Sequence, residues 1–246
     1  MMNYSKEFRH FGTKHLGISG TTIDSVADHQ VEASMTPYIL EERQMNVTQI
    51  DVFSRLMKDR ILFLNGVVDD RMSSVVTAQL LFLSSMDPKS DITLYVDSPG
   101  GSVKSGLTIV DVMNYIPCST ATVNTGMAAS MGSVLLSSGT KGKRSSLIHS
   151  KVMTHQVSHG THGNIQDTRI AQREAEKYNF ILFKMIATNC GKTFDEVLEF
   201  SVRDRWYTSD EALKFGLVDE IIGLEKRPTI SQSLEGFEDY LAKIPQ

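Results

Sequence analysis

A single serine lies where an apolar run gives way to a helical pattern, a position that can support nucleophilic chemistry. Ser130 stands in the segment Gly-Met-Ala-Ala-Ser-Met-Gly, within the first turn of a helix predicted over residues 128–138. The amino end of a helix presents unpaired N–H groups and the positive end of the dipole, which stabilise an oxyanion formed beside them. Serine is also a common N-cap. The position leaves two interpretations open, a nucleophile and an ordinary capping residue.

A turn with two adjacent glycines is a second candidate for binding an anion. Ser98-Pro99-Gly100-Gly101 follows the apolar run Ile92–Val96 and precedes a helical pattern. Glycine permits backbone conformations in which an N–H group points at a ligand. The Gly-Lys-Thr/Ser and GxGxxG spacings are missing, which argues against nucleotide binding. A tight strand–helix turn and an oxyanion-binding turn remain as alternatives.

Three histidines, His155, His159 and His162, lie close together in the sequence. Two nearby glycines interrupt any helix that would gather the three imidazoles, and the cluster contains no cysteine or carboxylate. We therefore predict no metal site and interpret His159 and His162 as loop residues. His155 lies at the end of a strand predicted over residues 151–155 and is better suited to act as a general base.

Asp204 stands between Arg203 and Arg205, just before an aromatic pair. The local pattern is typical of a surface carboxylate that pairs with an arginine and contributes little to stability. Only a partnership with His155 would give Asp204 a chemical role.

These residues are embedded in an alternation of strands and helices, which predicts an α/β fold with parallel strands and right-handed crossovers. The expected strand–helix units are Ile61–Leu64 with Ser73–Met86, Ile92–Val96 with Lys104–Tyr115, and Ala121–Asn124 with Ala128–Ser138.

After Gly139 the pattern changes to short strands, a long helix and two short helices. Gly191 is expected to cap the long helix in a left-handed conformation, and two Thr-x-x-Glu segments have the spacing of capping boxes. The predicted elements are strands Ser145–Ile148 and Lys151–His155, helix Ile165–Asn189, capping boxes Thr193/Glu196 and Thr208/Glu211, and strand Leu217–Ile222. Residues 1–45 are interpreted as an arm or removable leader, 46–223 as the functional domain, and 224–246 as a tail without a clear pattern.

The composition places the chain among ordinary globular proteins. It has 246 residues, 41% of them hydrophobic, and a net charge of −4 from 25 basic and 29 acidic residues. No excess of basic residues points to nucleic acid as a partner. Cys118 and Cys190 lie outside any metal-binding spacing, and we expect both to be reduced. Because no secretory signal and no apolar run of about 18 residues occur, we expect a cytoplasmic protein that does not contact a membrane.

Five segments of the chain form a combined pattern. They are Phe53-Ser54-Arg55-Leu56, Tyr95-Val96-Asp97-Ser98-Pro99-Gly100-Gly101-Ser102, Gly126-Met127-Ala128-Ala129-Ser130-Met131-Gly132, Val152-Met153-Thr154-His155-Gln156 and Arg203-Asp204-Arg205. Together, in this order, they resemble the ClpP family, the proteolytic subunits of the ATP-dependent Clp proteases. The resemblance covers about Asn46 to Ile222. It implies a crotonase-like (ClpP-type) α/β fold with repeated strand–helix units and a long protruding handle helix, here Ile165–Asn189.

The resemblance also implies a site and an assembly. It assigns the catalytic roles of a serine endopeptidase to Ser130, His155 and Asp204, and the oxyanion hole to the N–H groups of Gly101 and Met131. Two stacked heptameric rings would enclose these sites in a tetradecamer. An AAA+ ATPase would feed unfolded polypeptides into the chamber. The subunit itself would use no cofactor, since the partner ATPase consumes the ATP.

Some positions depart from the family pattern. Val157 and His159 stand where a proline and a glycine are usual, and Val202 replaces an acidic residue. His159 could crowd the substrate strand or titrate near neutral pH.

The ATPase-docking surface is expected at Tyr95, Val123, Leu147 and Ile222. Thr93, Thr125 and Ser145 make it less apolar than usual. This difference suggests weaker docking and a second ClpP-type subunit in a mixed assembly.

Two alternatives to an active peptidase remain. One is a divergent, weakly active ring subunit with a mainly structural role. The other is an acyl-CoA enzyme of the wider crotonase superfamily, against which the Ser-His-Asp set argues.

Overall fold

The computed structural model describes residues 38–43, 46–161, 163–223, 228 and 230–242. The chain divides into two units, residues 1–59 and 60–246. In the first unit, β1 (Tyr38–Arg43) pairs antiparallel with β2 (Asn46–Asp51), and α1 (Val52–Lys58) follows. The sequence pattern did not predict β1, which lies within the segment expected to be an arm. The rest of that segment lies outside the described residues.

The second unit is built on a sheet in which neighbouring strands come from successive strand–helix units. Five parallel strands lie in the order β3, β4, β5, β6, β9. These strands are β3 (Ile61–Asn65), β4 (Ile92–Ser98), β5 (Thr120–Ala129), β6 (Arg144–Leu147) and β9 (Glu220–Ile222); the helices after the first three are α2 (Asp70–Met86), α3 (Val103–Tyr115) and α4 (Met131–Ser137). The alternation predicted the parallel arrangement of the first three strands.

A layered apolar core holds the helices on the sheet. Ile92, Leu94 and Val96 alternate along β4 and are fully buried, as a half-covered strand requires. The predicted face of α2 is buried as well, with Val76 and Leu80 at a spacing of four residues.

Two further strands extend the sheet at the carboxyl end of β5. β7 (Lys151–Thr154) pairs parallel with residues 127–129 of β5, and β8 (Arg205–Tyr207) pairs antiparallel with β7. Residues 127–129 of β5 therefore pair with β7, whereas residues 122–124 of β5 pair with β6.

The longest helix, α5 (Ile165–Cys190), has 26 residues and ends at Gly191 in a left-handed conformation, with φ 66° and ψ 33°. Its buried residues all lie in the last third, from Leu182 onward, and residues 165–181 are exposed or half-buried. Two helices with the predicted capping boxes follow, α6 (Phe194–Ser201) and α7 (Ser209–Phe215).

Several predicted boundaries are wrong. The structure continues β5 to Ala129, whereas the sequence placed residues 128 and 129 in a helix, because pairing with β7 keeps these small residues extended. The strand predicted from Leu217 begins at Glu220, since the N–H of Leu217 still donates to Ala212 O at the end of α7. Two short helices, α8 (Ile230–Ser233) and α9 (Phe237–Leu241), lie in the tail that showed little pattern.

A buried ion pair connects β6 to the loop before β9. Arg144 donates from Nε to Asp219 Oδ2 (2.8 Å) and from Nη2 to Asp219 Oδ1 (2.6 Å), in a two-point contact. Its Nη1 donates to the carbonyl oxygens of Ser137 and Asn189, at the ends of α4 and α5. One guanidinium thus ties together four segments of the second unit.

Candidate active site

Ser130 lies between β5 and α4 in a backbone conformation that few L-residues adopt. Its φ is 54° and its ψ is −121°, and a positive φ at a non-glycine residue stores strain that functional sites often use. The N–H of Ser130 donates to Met153 O of β7 at 2.9 Å, which fixes this conformation. The serine therefore precedes the helix, and the prediction that it lies within the first turn is wrong.

The hydroxyl of Ser130 does not cap α4. It makes no side-chain capping hydrogen bond to α4, so the interpretation as an ordinary capping residue does not fit. Its Oγ lies 2.8 Å from Nε2 of His155, within hydrogen-bonding distance.

The pairing of β7 with β8 explains how His155 and Asp204 meet. Thr154 and Arg205 are register partners in this antiparallel pair, so His155, which follows β7, and Asp204, which precedes β8, emerge side by side. Nδ1 of His155 lies 3.2 Å from Oδ1 of Asp204. The three residues that the sequence singled out are thereby brought together in one chain of contacts.

Within the described part of the chain, Asp204 forms no ion pair with Arg203 or Arg205, although the local sequence suggested one. The guanidinium of Arg205 lies over the ring of Phe200, 4.3 Å from its centroid, and also faces the ring of Tyr207. The Asp204 carboxylate is left open to solvent on its other side, with 66% of its side-chain surface exposed.

The glycine turn approaches Ser130 so closely that side chains would not fit. A Cβ on Gly100 (φ 95°) would lie 2.6 Å from Cβ of Ser130, and one on Gly101 (φ 149°) would collide with the carbonyl oxygen of Val68. The N–H groups of Gly101 and Met131 donate to no acceptor among the described residues. Both residues border the same cavity as Ser130.

This cavity has a volume of about 210 Å³ and a mostly apolar wall. Leu182, Phe183 and Ile186 of α5 form one side of it, and Val134 of α4 contributes as well. The buried third of α5 therefore shapes the space next to the serine, which is large enough for a single side chain of moderate size.

Comparison with known proteins identifies the family. A family model described as Clp protease matches residues 42–225, most of the chain. The chain belongs to the Clp protease family. The resemblance carried by the five sequence segments is thus confirmed, and with it the α/β fold and the class of enzyme, a peptidase.

Relatives in this family are similar over most of their own length. The ATP-dependent Clp protease proteolytic subunit of Bacteroides fragilis (strain YCH46) is 50% identical over 216 residues, 88% of this chain and 98% of that protein. The proteolytic subunit of Porphyromonas gingivalis is 48% identical over 216 residues, 88% of this chain and 97% of that protein. The ATP-dependent Clp protease proteolytic subunit 2 of Corynebacterium glutamicum is 47% identical over 178 residues, 72% of this chain and 89% of that protein.

The residues that the family resemblance assigns to ATPase docking lie on one face of four adjacent strands. Tyr95 of β4 is the register partner of Val123 of β5, and Leu147 of β6 is the partner of Ile222 of β9. Leu147 and Ile222 are exposed, whereas Val123 is buried. The position of the face is clear, and its role stays a prediction.

Ser145 lies in the same face, between Val123 and Glu220 in register. Its Oγ donates to Glu220 Oε1 at 2.8 Å. A polar pair therefore occupies the β6–β9 side of this face. Ser145 stood out in the sequence, whereas Glu220 did not, because its proximity depends on the pairing of β6 with β9.

The other predicted features have less structural context. His159 is exposed, and His162 lies outside the described residues. Within the described part, no group of three or more potential metal ligands occurs, and the absence of a metal from this protein stays a prediction.

None of the described helices is long and apolar enough to cross a membrane. Cys118 and Cys190 are buried and unpaired, and burial raises the pKa of the Cys190 thiol to about 11.

Proposed function

We propose that Ser130 is the nucleophile of this Clp-family peptidase, with His155 as its general base and Asp204 as the group that orients the imidazole. The observation that carries this assignment is the 2.8 Å separation of Ser130 Oγ from His155 Nε2, on a backbone that keeps the hydroxyl out of the helix cap. When the Nδ1–H group of His155 donates to Asp204, Nε2 is the nitrogen left to accept a proton.

The reaction follows from these positions. Ser130 Oγ attacks the peptide carbonyl while His155 Nε2 takes the hydroxyl proton, and Asp204 stabilises the imidazolium that forms. The imidazolium gives its proton to the leaving amine as the C–N bond breaks and an acyl ester forms on Ser130. A water molecule, deprotonated by His155, then attacks the ester, and the acid product leaves with Ser130 restored.

The N–H groups of Gly101 and Met131 form the oxyanion hole in this proposal. They donate to the carbonyl oxygen as it becomes negative, and they need no rearrangement because both already border the cavity. None of these steps needs a cofactor, and we assign ATP hydrolysis to a partner ATPase. The apolar cavity next to Ser130 favours an apolar side chain just before the cleaved bond.

The substrate and the assembly form part of the same proposal. The chain would act on unfolded polypeptides within two stacked heptameric rings, in the cytoplasm, with an AAA+ ATPase docked on the ring. The exposed apolar residues on the first two-thirds of α5, the predicted handle, support burial against other subunits. These residues include Ile165, Ile170, Phe180 and Ile181.

We also propose that docking of the ATPase is weaker than on a fully apolar face. The Ser145–Glu220 pair places a carboxylate on the two strands that carry Leu147 and Ile222, and an apolar loop would have to desolvate it. A second, more apolar subunit in a mixed ring would compensate. Tight binding of the ATPase to homomeric wild-type rings would contradict this part.

The experiment combines activity with assembly. Wild-type protein is expected to cleave a fluorogenic peptide with an apolar residue before the cleaved bond. Ser130→Ala should lose at least about 10³-fold in kcat, as loss of a nucleophile requires. Native mass spectrometry checks that both proteins form rings of the same size. Equal activity of Ser130→Ala and the wild type in rings of equal size would disprove the assignment.

A weakly active, mainly structural subunit is the second candidate. It is favoured by the exposure of Asp204, because an exposed carboxylate holds an imidazole weakly. Assembled wild-type rings that show no peptidase activity would support this alternative.

A further inference from the structure

His155 follows the last residue of β7, so its imidazole must be positioned by a backbone that has just left the sheet. β7 ends at Thr154; its pairing with β5 ends at Met153 and its pairing with β8 at Thr154. Residues 155–161 have no regular secondary structure. The position of His155 therefore depends on contacts other than strand pairing.

Two hydrogen bonds hold the segment that follows His155. The N–H of Val157 donates to Oδ1 of Asn179 on α5 at 3.0 Å. The side chain of Gln156 donates from Nε2 to Val202 O at 2.7 Å, two residues before Asp204. The first bond ties the segment to a helix, and the second ties it to the neighbouring loop.

The position of Asn179 suits it to hold the backbone at Val157 in place. It lies one turn before Leu182 and Phe183, the first buried residues of α5, which also line the cavity next to Ser130. The helix is thus anchored immediately after Asn179, whereas the residues before it are mostly exposed. The amide oxygen of Asn179 therefore has a defined position relative to the cavity wall.

We propose that Asn179 is a positioning residue for the reaction, acting through the N–H of Val157 to set the orientation of His155. The inference rests on the proposed roles of Ser130 and His155. It gives a function to the departure at Val157, because valine has the backbone N–H that the proline usual at this position in the family lacks, so the contact with Asn179 is open to this chain. It also links the long helix to the reaction, since a shift of α5 at Asn179 would move the imidazole.

A loss of this contact should be seen in kcat rather than in KM, because it changes the alignment of Ser130 and His155 and leaves the cavity intact. Asn179→Leu keeps the size of the side chain and removes the acceptor, and Val157→Pro removes the donor. Each should lower kcat for a short fluorogenic peptide by about three- to tenfold, the range expected for one hydrogen bond, with KM within about twofold.

The double variant Asn179→Leu/Val157→Pro decides whether the two residues act through each other. If they do, it should be no slower than the slower single variant. Asn179→Asp keeps an oxygen acceptor and should retain most of the activity. Thr188→Val is the matched control, because it removes one side-chain hydrogen bond from the exposed face of the same helix, to Lys184 O, and should leave kcat unchanged.

The proposal is overturned if the losses of the single variants multiply in the double variant, if Asn179→Asp is as slow as Asn179→Leu, or if Asn179→Leu has wild-type kcat. Ring assembly is checked for each variant by native mass spectrometry. Asn179→Ala, which also lacks an acceptor, replaces Asn179→Leu if the latter does not assemble. An inactive wild type would instead overturn the proposed roles of Ser130 and His155, and this inference with them.

Discussion

Two contacts between side chains in the second unit, Arg144–Asp219 and His155–Asp204, differ in burial and in the number of atoms that meet. Arg144 and Asp219 have side chains that are 1% and 14% exposed and make a two-point contact, whereas His155 and Asp204 are 22% and 66% exposed and meet at one pair of atoms. Arg144 also satisfies carbonyl oxygens at the ends of two helices. The first pair joins several segments of the subunit, whereas the second, in the proposed mechanism, orients the imidazole that accepts the proton of Ser130.

If the proposed roles are right, the difference separates the residues that stabilise the fold from those that carry the reaction. A buried, fully bonded ion pair is costly to break, because its partner is left charged and unpaired. The contacts that position His155 are few and partly exposed, so they add little to stability and can matter only for alignment. Substitutions at the two pairs should therefore have opposite signatures.

The largest effect is expected for Asp204→Asn. The amide would leave the fold intact, but it would favour the wrong tautomer of His155, and kcat should fall by about 10²- to 10⁴-fold. The free energy of unfolding should change by less than about 1 kcal/mol, because the carboxylate is mostly exposed. Peptidase assays and urea unfolding measure the two quantities on the same samples. A loss of stability with retained kcat would reverse the roles assigned to the two pairs.

Asp219→Asn should have the opposite signature. It leaves the Arg144 guanidinium buried without its counter-charge, and it should lower the free energy of unfolding by about 3–5 kcal/mol. Peptidase activity per assembled ring should change by less than about threefold, since neither residue touches the cavity beside Ser130. Arg144→Met/Asp219→Leu serves as the control, because replacement of both charges should be less damaging than removal of one. Equal damage from the single and double variants would contradict the role assigned to this pair.

The same pair predicts a pH dependence of stability. Burial alone would raise the pKa of Asp219, but the hydrogen bonds and charge of Arg144 hold it well below its usual range. The folded-state pKa is thus depressed, so the stabilisation is complete above the unfolded pKa of about 3.9 and is lost as pH falls below it. The stability difference between the wild type and Asp219→Asn should be constant from pH 8 to about pH 5 and shrink below about pH 4. Urea midpoints across this range measure it, and a difference that persists unchanged to pH 3 would show that protonation of Asp219 does not weaken the pair.

The smallest effect is expected for Gln156→Met. This change removes the bond to Val202 O while it keeps the length of the side chain, and kcat should fall by about two- to fivefold with unfolding midpoints unchanged. Lys177→Met on the exposed part of α5 removes an ion pair with Glu174 and provides a surface control. If both variants behave alike, the contact with the Asp204 loop has no part in positioning His155.

The sequence predicted much of this molecule, and the failures have a common physical cause. Local signals were sufficient for both capping boxes and for the left-handed Gly191, because these depend on residues within one turn. The true end of β5 was missed because its last residues are held extended by β7, more than twenty residues later.

The site shows the same division. Without the family resemblance, Asp204 looked like a surface carboxylate, because its approach to His155 depends on the pairing of Thr154 with Arg205, fifty-one residues apart in the chain. Asn179 gave no signal at all, since it is a half-buried residue among many polar residues of a long helix. Long-range pairing, which leaves no local pattern, positions these residues.

The central claim is that Ser130 is the activated nucleophile, and covalent labelling tests it most directly. Assembled wild-type protein is treated with a fluorophosphonate, and the modified residue is identified by peptide mass mapping. We expect one label per subunit, on Ser130, with loss of labelling in Ser130→Ala and much slower labelling in His155→Ala. Labelling of another serine, or no labelling of correctly assembled rings, would contradict the claim.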